Sequence, residues 1–224
     1  MSKYFTPVKP PFRVFKRKVL AKAAKVSDFV YQIGEVGDLR KPSQLIPVKK
    51  ITSDAIKAKI KYVKTCLIKY RKLTGYGRGI TAIQLGIPER FSVIYTGQTI
   101  QNSKTKKNVS YKDLEAIINP KITKRSKRLL KYPEMCMSLN PVIVPTIRPS
   151  WIEFEYYDEE GKLKHWDTKD KTDIGRMMNR VYQHEFDHME GIINIDKTKN
   201  PREIILESDP DFYKNAKFEE VKKI

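Results

Sequence analysis

Apolar residues recur at spacings of four and three through Ile56, Ile60, Val63, Leu67 and Tyr70, with lysines on the other faces. That period predicts an amphipathic helix, opened by Ser53 as its N-cap and closed by Gly75. Cys66 lies beside the stripe and reads as a small core hydrophobe. A second long helix is predicted from about Asp173 to Met189, buried through Ile174, Met177, Met178, Val181 and Tyr182 and stopped by Gly191. Residues 91–95 and 115–118 are short, mostly apolar runs and predict strands. In residues 151–157, Ile152, Phe154 and Tyr156 share one face, and Glu153 and Glu155 the other. A turn over residues 158–161 then folds the chain back as a hairpin. Residues 101–109 are polar and predict a loop or hairpin tip, and residues 211–222 a last short helix. Several antiparallel strands with two helices make the expected class α+β.

Hydrophobic residues make up 40% of the 224 and charged residues 32%, which excludes a disordered chain and a membrane protein. No run of about 18 apolar residues exists to span a bilayer. Lys and Arg number 45 against 26 acids, a net charge of +19, which points to anionic surroundings such as nucleic acid or the ribosome. Two cysteines are too few for a disulfide framework, so a reducing compartment is expected. Residues 1–27 hold many lysines and no acid before Asp28. They lack the apolar stretch of a secretory signal, and they are richer in Lys than in the Arg and Ser of a transit peptide. Pro7, Pro10 and Pro11 are expected to break any early helix, so the segment reads as a solvated basic arm outside the core.

The chemistry concentrates in residues 183–191. His184, Glu185 and His188 form His-Glu-x-x-His on the second predicted helix. Positions i and i+4 share a helical face, so two imidazoles can converge on one ion, and Glu185 is placed to reach a water beside it. The plain alternative is a helix with two surface histidines. It is disfavoured because the chain has only three histidines, His165 being the other, and two fall in this spacing. The third ligand stays open at this level. Asn194 stands where the long metzincin pattern has a third His, Glu203 or Glu207 would suit another protease class, and Cys136 lies upstream.

The residues around Cys136 change the weighting, because here the sequence resembles the peptide deformylase family. Three motifs of that family occur in order. The first, Gly-x-Gly-x-Ala-Ala-x-Gln, stands as Gly77 to Gln84 with Thr81 in place of the first Ala. The second, Glu-Gly-Cys-x-Ser, stands as Glu134 to Ser138 with Met135 in place of Gly. The third, Gln-His-Glu-x-Asp-His-x-x-Gly, is complete from Gln183 to Gly191. Asn119-Pro120 and the hairpin before the third motif look similar too, and the resemblance covers roughly residues 30–197. In many members an Arg five residues after the motif Ser pairs with the motif Glu. Ile143 stands there, so Glu134 needs another partner.

The resemblance implies antiparallel sheets around a central metal-binding helix. It divides the chain into a basic extension (1–27), a catalytic domain (28–200) and a C-terminal tail (201–224). It implies one divalent ion held by Cys136, His184 and His188, with Fe2+ favoured and Zn2+, Ni2+ or Co2+ able to fit the same ligands. Glu185 becomes the general base, and the Gln84 amide and the Met137 backbone N–H the oxyanion donors. Gly79 and Ile80, with Glu134 and Met135, line the substrate groove. Asp187 orients a neighbouring group or faces solvent, and Arg180, one turn before His184, is placed to pair with an acid. The implied substrate is an N-formyl-methionyl peptide in the cytoplasm, or in an organelle matrix if the basic arm is a transit peptide. A ribosomal RNA contact through the basic surface is a further expectation. Two competing readings are a zinc endopeptidase and a catalytically weak, ribosome-binding relative.

Overall fold

The computed structural model describes residues 10–34, 37–97, 109–206 and 216–221. Its helices are α1 (Pro10–Ser27), α2 (Asp54–Thr74) and α3 (Asp173–Met189). Five strands, β1 (Gly79–Thr81), β2 (Phe91–Tyr95), β3 (Leu114–Arg125), β6 (Ile152–Tyr157) and β7 (Leu163–Trp166), form one antiparallel sheet in the order β1-β2-β3-β6-β7. A second antiparallel sheet has the order β8-β5-β4-β9, built from β4 (Leu129–Met135), β5 (Val142–Pro149), β8 (Ile205–Leu206) and β9 (Glu219–Val221). The fold is α+β.

The first sheet is covered on both faces, which explains its continuous apolar runs. Phe91, Val93, Ala116 and Ile118 pack against the α2 stripe of Ile56, Ile60, Val63, Leu67 and Tyr70. Ile94, Ile117, Ile152, Phe154 and Tyr156 pack on the other side against Tyr182, Phe186 and Met189 of α3. The Phe154 ring meets Phe186 edge-on at 4.9 Å and Tyr182 at 4.8 Å, so the helix is anchored by aromatic contacts of defined geometry. Ser53 caps α2 by accepting from the Ile56 amide, and Thr172 caps α3 by accepting from Gly175.

Several expectations change. Pro10 and Pro11 open α1 rather than break it, because the first helical turn needs no N–H from them. Val19 and Val26 are buried, Val26 within the α2 core, so packing reaches back past residue 28. The tail joins the second sheet: Ile205 and Leu206 pair with β5, and residues 219–221 pair with β4 as a strand, not as part of a helix. Residues 101–108 of the expected hairpin tip, and 211–215 and 222 of the expected last helix, lie outside the described residues.

On α3 the buried side is more polar than expected. Ile174, Met177, Met178 and Val181 are half-buried, whereas Asn179, Arg180, Gln183, Glu185 and His188 are buried. The reason is that α3 meets the second sheet as well as the first. Arg180 reaches the carbonyls of Leu130, Tyr132 and Thr146 on β4 and β5, 3.1 Å and 3.3 Å away for the first two.

Candidate metal centre

The motif residues arrive from three different elements. His184, Glu185 and His188 are on α3, Cys136 follows the end of β4, and Gln84 lies in a short 3-10 turn after β1. One ligand atom each from Cys136, His184 and His188 can be chosen so that all three lie within 4.8 Å of one another. Cys136 Sγ is 3.2 Å from His188 Nε2.

The candidate ligands are held by a buried ionic cluster. Glu134 takes two hydrogen bonds from Arg148, at 2.7 Å from Nε and 3.0 Å from Nη2. Arg180 Nε lies 2.6 Å from the same Oε1 as an ion pair, and His184 Nδ1 is 2.9 Å from Oε2. The carboxylate fixes the histidine: Nδ1–H donates to it, so Nε2 keeps its lone pair for an ion. Arg148 also bonds Asp187 at 2.5 Å, so two carboxylates face two guanidiniums. The partner missing at Ile143 is therefore Arg148, joined by Arg180. Asp187 holds Arg148 and Lys197 rather than simply facing water.

The electrostatics follow from this packing. Burial would raise the Glu134 carboxyl, but Arg148, Arg180 and His184 outweigh it and hold it well below the usual carboxylate range. Burial, with the nearby charges of His184 and Arg148, pushes the His188 imidazole well below its ordinary value. Neutral imidazole is the form a ligand requires. For His184, burial opposes charge, yet Cys136 and Glu134 outweigh it and hold the ring well above the ordinary value. The surroundings thus favour positive charge at His184 and a neutral ring at His188. One sulfur and two imidazoles there fit a divalent transition ion.

Glu185 is buried, and burial is the main cause that raises its carboxyl above the ordinary range, opposed by His184 and by a hydrogen bond from Thr81. A Cβ on Gly79 would lie 2.7 Å from both Cγ and Cδ of Glu185, so only glycine leaves room for that side chain. Gly191, which closes the third motif, has φ +72° and no space for a Cβ against the carbonyl carbon of Arg40, 2.6 Å away.

Gln84 accepts from the Thr81 amide at 2.8 Å through Oε1, and its Nε2 donates to Ser138 Oγ at 3.0 Å, with Cys136 Sγ 3.9 Å away. Met137 opens the 3-10 turn after Cys136, where a backbone N–H has no partner within the turn. Strand β1 forms the edge of its sheet. Tyr95 N–H donates to the Arg78 carbonyl, and Ile80 is paired with Val93, so by alternation the peptide groups of Gly79 face the open edge. Ile80 itself packs in the α2 core. Met135 is half-buried at the end of β4, opposite Ile143.

The alternative ligands are elsewhere. Glu203 pairs with Lys131 at 2.6 Å, Asn194 donates to the Glu134 carbonyl at 3.3 Å, and Glu207 lies outside the described residues. His165 is exposed on β7. Sequence reasoning missed Arg148 and the segment after α1, where Tyr31 N–H donates to the Gln84 carbonyl and Ile33 N–H to the Ser138 carbonyl. Arg148 did carry a signal. It continues the inward register of Val144 and Thr146, where a charge needs a partner.

The profile of the family described as polypeptide deformylase matches residues 30–203. The chain is 35% identical over 132 residues to a peptide deformylase of a Picosynechococcus strain, an alignment spanning 59% of this chain and 62% of that protein. It is 34% identical over 196 residues to one of Prochlorococcus marinus, spanning 88% of this chain and 83% of that protein. The crystal structure of peptide deformylase from Thermotoga maritima shares the fold, with a TM-score of 0.58 and 24% identity, covering 76% of this chain and 97% of that one.

Removing one partner of a buried ion pair leaves an uncompensated charge, so Arg148→Met is expected to cost about 3–5 kcal/mol of unfolding free energy by urea titration. The stability that Glu134 contributes is full above the unfolded carboxylate value of about 4.3 and is lost as the pH falls through its lower folded value. Arg148→Met raises that folded value, so its acid unfolding midpoint should move to higher pH.

Proposed function

The chain belongs to the polypeptide deformylase family, and from that premise we propose that it is a metal-dependent hydrolase that removes the N-formyl group from the N-terminal methionine of nascent polypeptides, releasing formate. The observation that carries the reading is the convergence of Cys136, His184 and His188 beside the buried carboxyl of Glu185. Those three residues would hold one divalent ion, with Fe2+ favoured. When bound, the ion supplies a polarised water at neutral pH and a Lewis acid for the formyl oxygen.

This chain's residues supply the rest. The peptide groups of Gly79, which face away from β2 on the edge of β1, take the substrate backbone by strand addition. Glu185 removes a proton as the water oxygen bonds to the formyl carbon, and returns it to the amine nitrogen as the C–N bond breaks. Its raised carboxyl suits both roles, because an acid poised nearer neutrality can accept and donate. Gln84 Nε2, already aimed towards the sulfur of Cys136, and the Met137 N–H stabilise the oxygen that gains charge. The endopeptidase reading is the weaker one, because Cys136 joins the two histidines and Glu203 is engaged by Lys131.

Such an enzyme works in the cytoplasm, or in an organelle matrix, on chains that begin with formyl-methionine. Among the described residues no helix is long and apolar enough to cross a membrane. The charge of +19 supports a contact with ribosomal RNA. Part of the basic run on β3 and beyond is already paired, Lys124 with Glu153 and Arg128 with Asp170 and Glu220. Lys121, Arg125 and Lys127 are exposed.

An anaerobic preparation is expected to release formate from a formyl-Met tripeptide. Glu185→Gln should keep one ion per chain and lose at least about 10²-fold in turnover. Near-normal turnover in that variant would remove Glu185 from the base role. Charge reversal at Lys121, Arg125 and Lys127 should weaken ribosome co-sedimentation at low salt and flatten its salt dependence, with tripeptide turnover unchanged. Equal binding across the salt series would remove the docking role from these side chains.

A further inference from the structure

We propose that Thr81, which stands where the first motif of the family has Ala, is a positioning residue that fixes the Glu185 carboxylate for proton transfer; the kinetic part of this inference rests on the hydrolase reading above. Thr81 is fully buried, and its Oγ1 donates to Glu185 Oε2 at 2.7 Å, with the Glu185 backbone carbonyl 3.1 Å away. Among the described residues it is the hydrogen-bond donor to that carboxylate. A buried carboxylate without a donor is costly, so the hydroxyl favours one orientation of the side chain over its alternatives.

The strand geometry makes the clamp two-sided. Residues 79 and 81 are two apart on β1 and share a face, while Ile80 points to the α2 core. Gly79 gives Glu185 room by having no side chain, and Thr81 holds it with a hydroxyl. With Oε2 engaged, Oε1 is the oxygen left for the proton in transit. The same residue serves the opposite wall of the site through its backbone, since Thr81 N–H holds Gln84 Oε1 and thereby directs the amide nitrogen towards Ser138 and Cys136. The two functions are separable. The hydroxyl governs Glu185 and the main-chain amide governs Gln84, and a side-chain substitution removes only the first. An alanine has no donor to offer, so this constraint belongs to the present chain's form of the motif.

Thr81→Val and Thr81→Ser separate this role from packing. Valine matches the shape of threonine and places a methyl against the carboxylate. Serine restores the hydroxyl with one methyl fewer. Crystal structures of the three metal-loaded proteins should show the Glu185 carboxylate displaced in Thr81→Val, in place in Thr81→Ser, and Gln84 unmoved in both. A displacement of about 1 Å predicts a fall in kcat of roughly tenfold to a hundredfold in Thr81→Val, with KM for a formyl-Met tripeptide within about twofold and metal content unchanged. Thr81→Ser should recover kcat to within about threefold of wild type. Glu185 unmoved in Thr81→Val, or kcat within twofold of wild type in a correctly folded, metal-loaded protein, would overturn the inference. Displacement of Glu185 in a chain whose wild type releases no formate would leave the positioning role standing and remove the hydrolase reading instead.

Discussion

One buried carboxylate organises this molecule. Glu134 sits between two guanidiniums and an imidazole, with each of its oxygens engaged. Its desolvation is compensated only because Arg148 and Arg180 arrive from β5 and α3 at the same point, and breaking either contact strands a charge. The return is geometric. A carboxylate pinned by two cations orients His184, and an oriented His184 presents Nε2 towards Cys136, which follows Glu134 by two residues in the chain. The geometry of the candidate metal ligands and the joining of the second sheet to the helix are therefore one interaction.

The two sides of α3 divide the labour. Tyr182, Phe186 and Met189 bind it to the first sheet by apolar and aromatic contact, which resists translation and rotation of the helix. Arg180, His184 and Asp187, spaced by four and three, face the charged residues of the second sheet. Glu185 falls between these stripes and meets the edge strand β1. A helix held by apolar packing on one side and by ion pairs on the other can place three chemical groups against three different elements. The segment after α1 completes the frame by tying the Gln84 and Ser138 carbonyls together through Tyr31 and Ile33.

Much of this was legible in the chain. The α2 stripe, the caps at Ser53 and Gly75, the alternation of Ile152, Phe154 and Tyr156, and the third motif all obey a single local period, and each appears where that period puts it. The second sheet was not legible, because Pro133, Pro145 and Pro149 interrupt the strand signal of β4 and β5. Pro133 faces Pro145 across the ladder, a pairing that only a non-hydrogen-bonded site accepts without losing donors. Ile143 occupies the position of the family's usual Arg, so fixed spacing leaves Glu134 without a named partner, and Arg148, further along the same strand, meets the need. Helix α3 misled for a related reason. A helix lodged between two sheets buries polar side chains that a one-faced pattern assigns to water.

The proposed metal centre consists of one sulfur and two imidazole nitrogens, set by Glu134 through His184. X-ray absorption at the zinc edge of the zinc-loaded chain reads that directly. The expected spectrum shows one sulfur scatterer at about 2.3 Å and two imidazole nitrogens at about 2.0–2.1 Å, with the remaining position light-atom. A first shell without sulfur, or one with a single imidazole, would contradict the account.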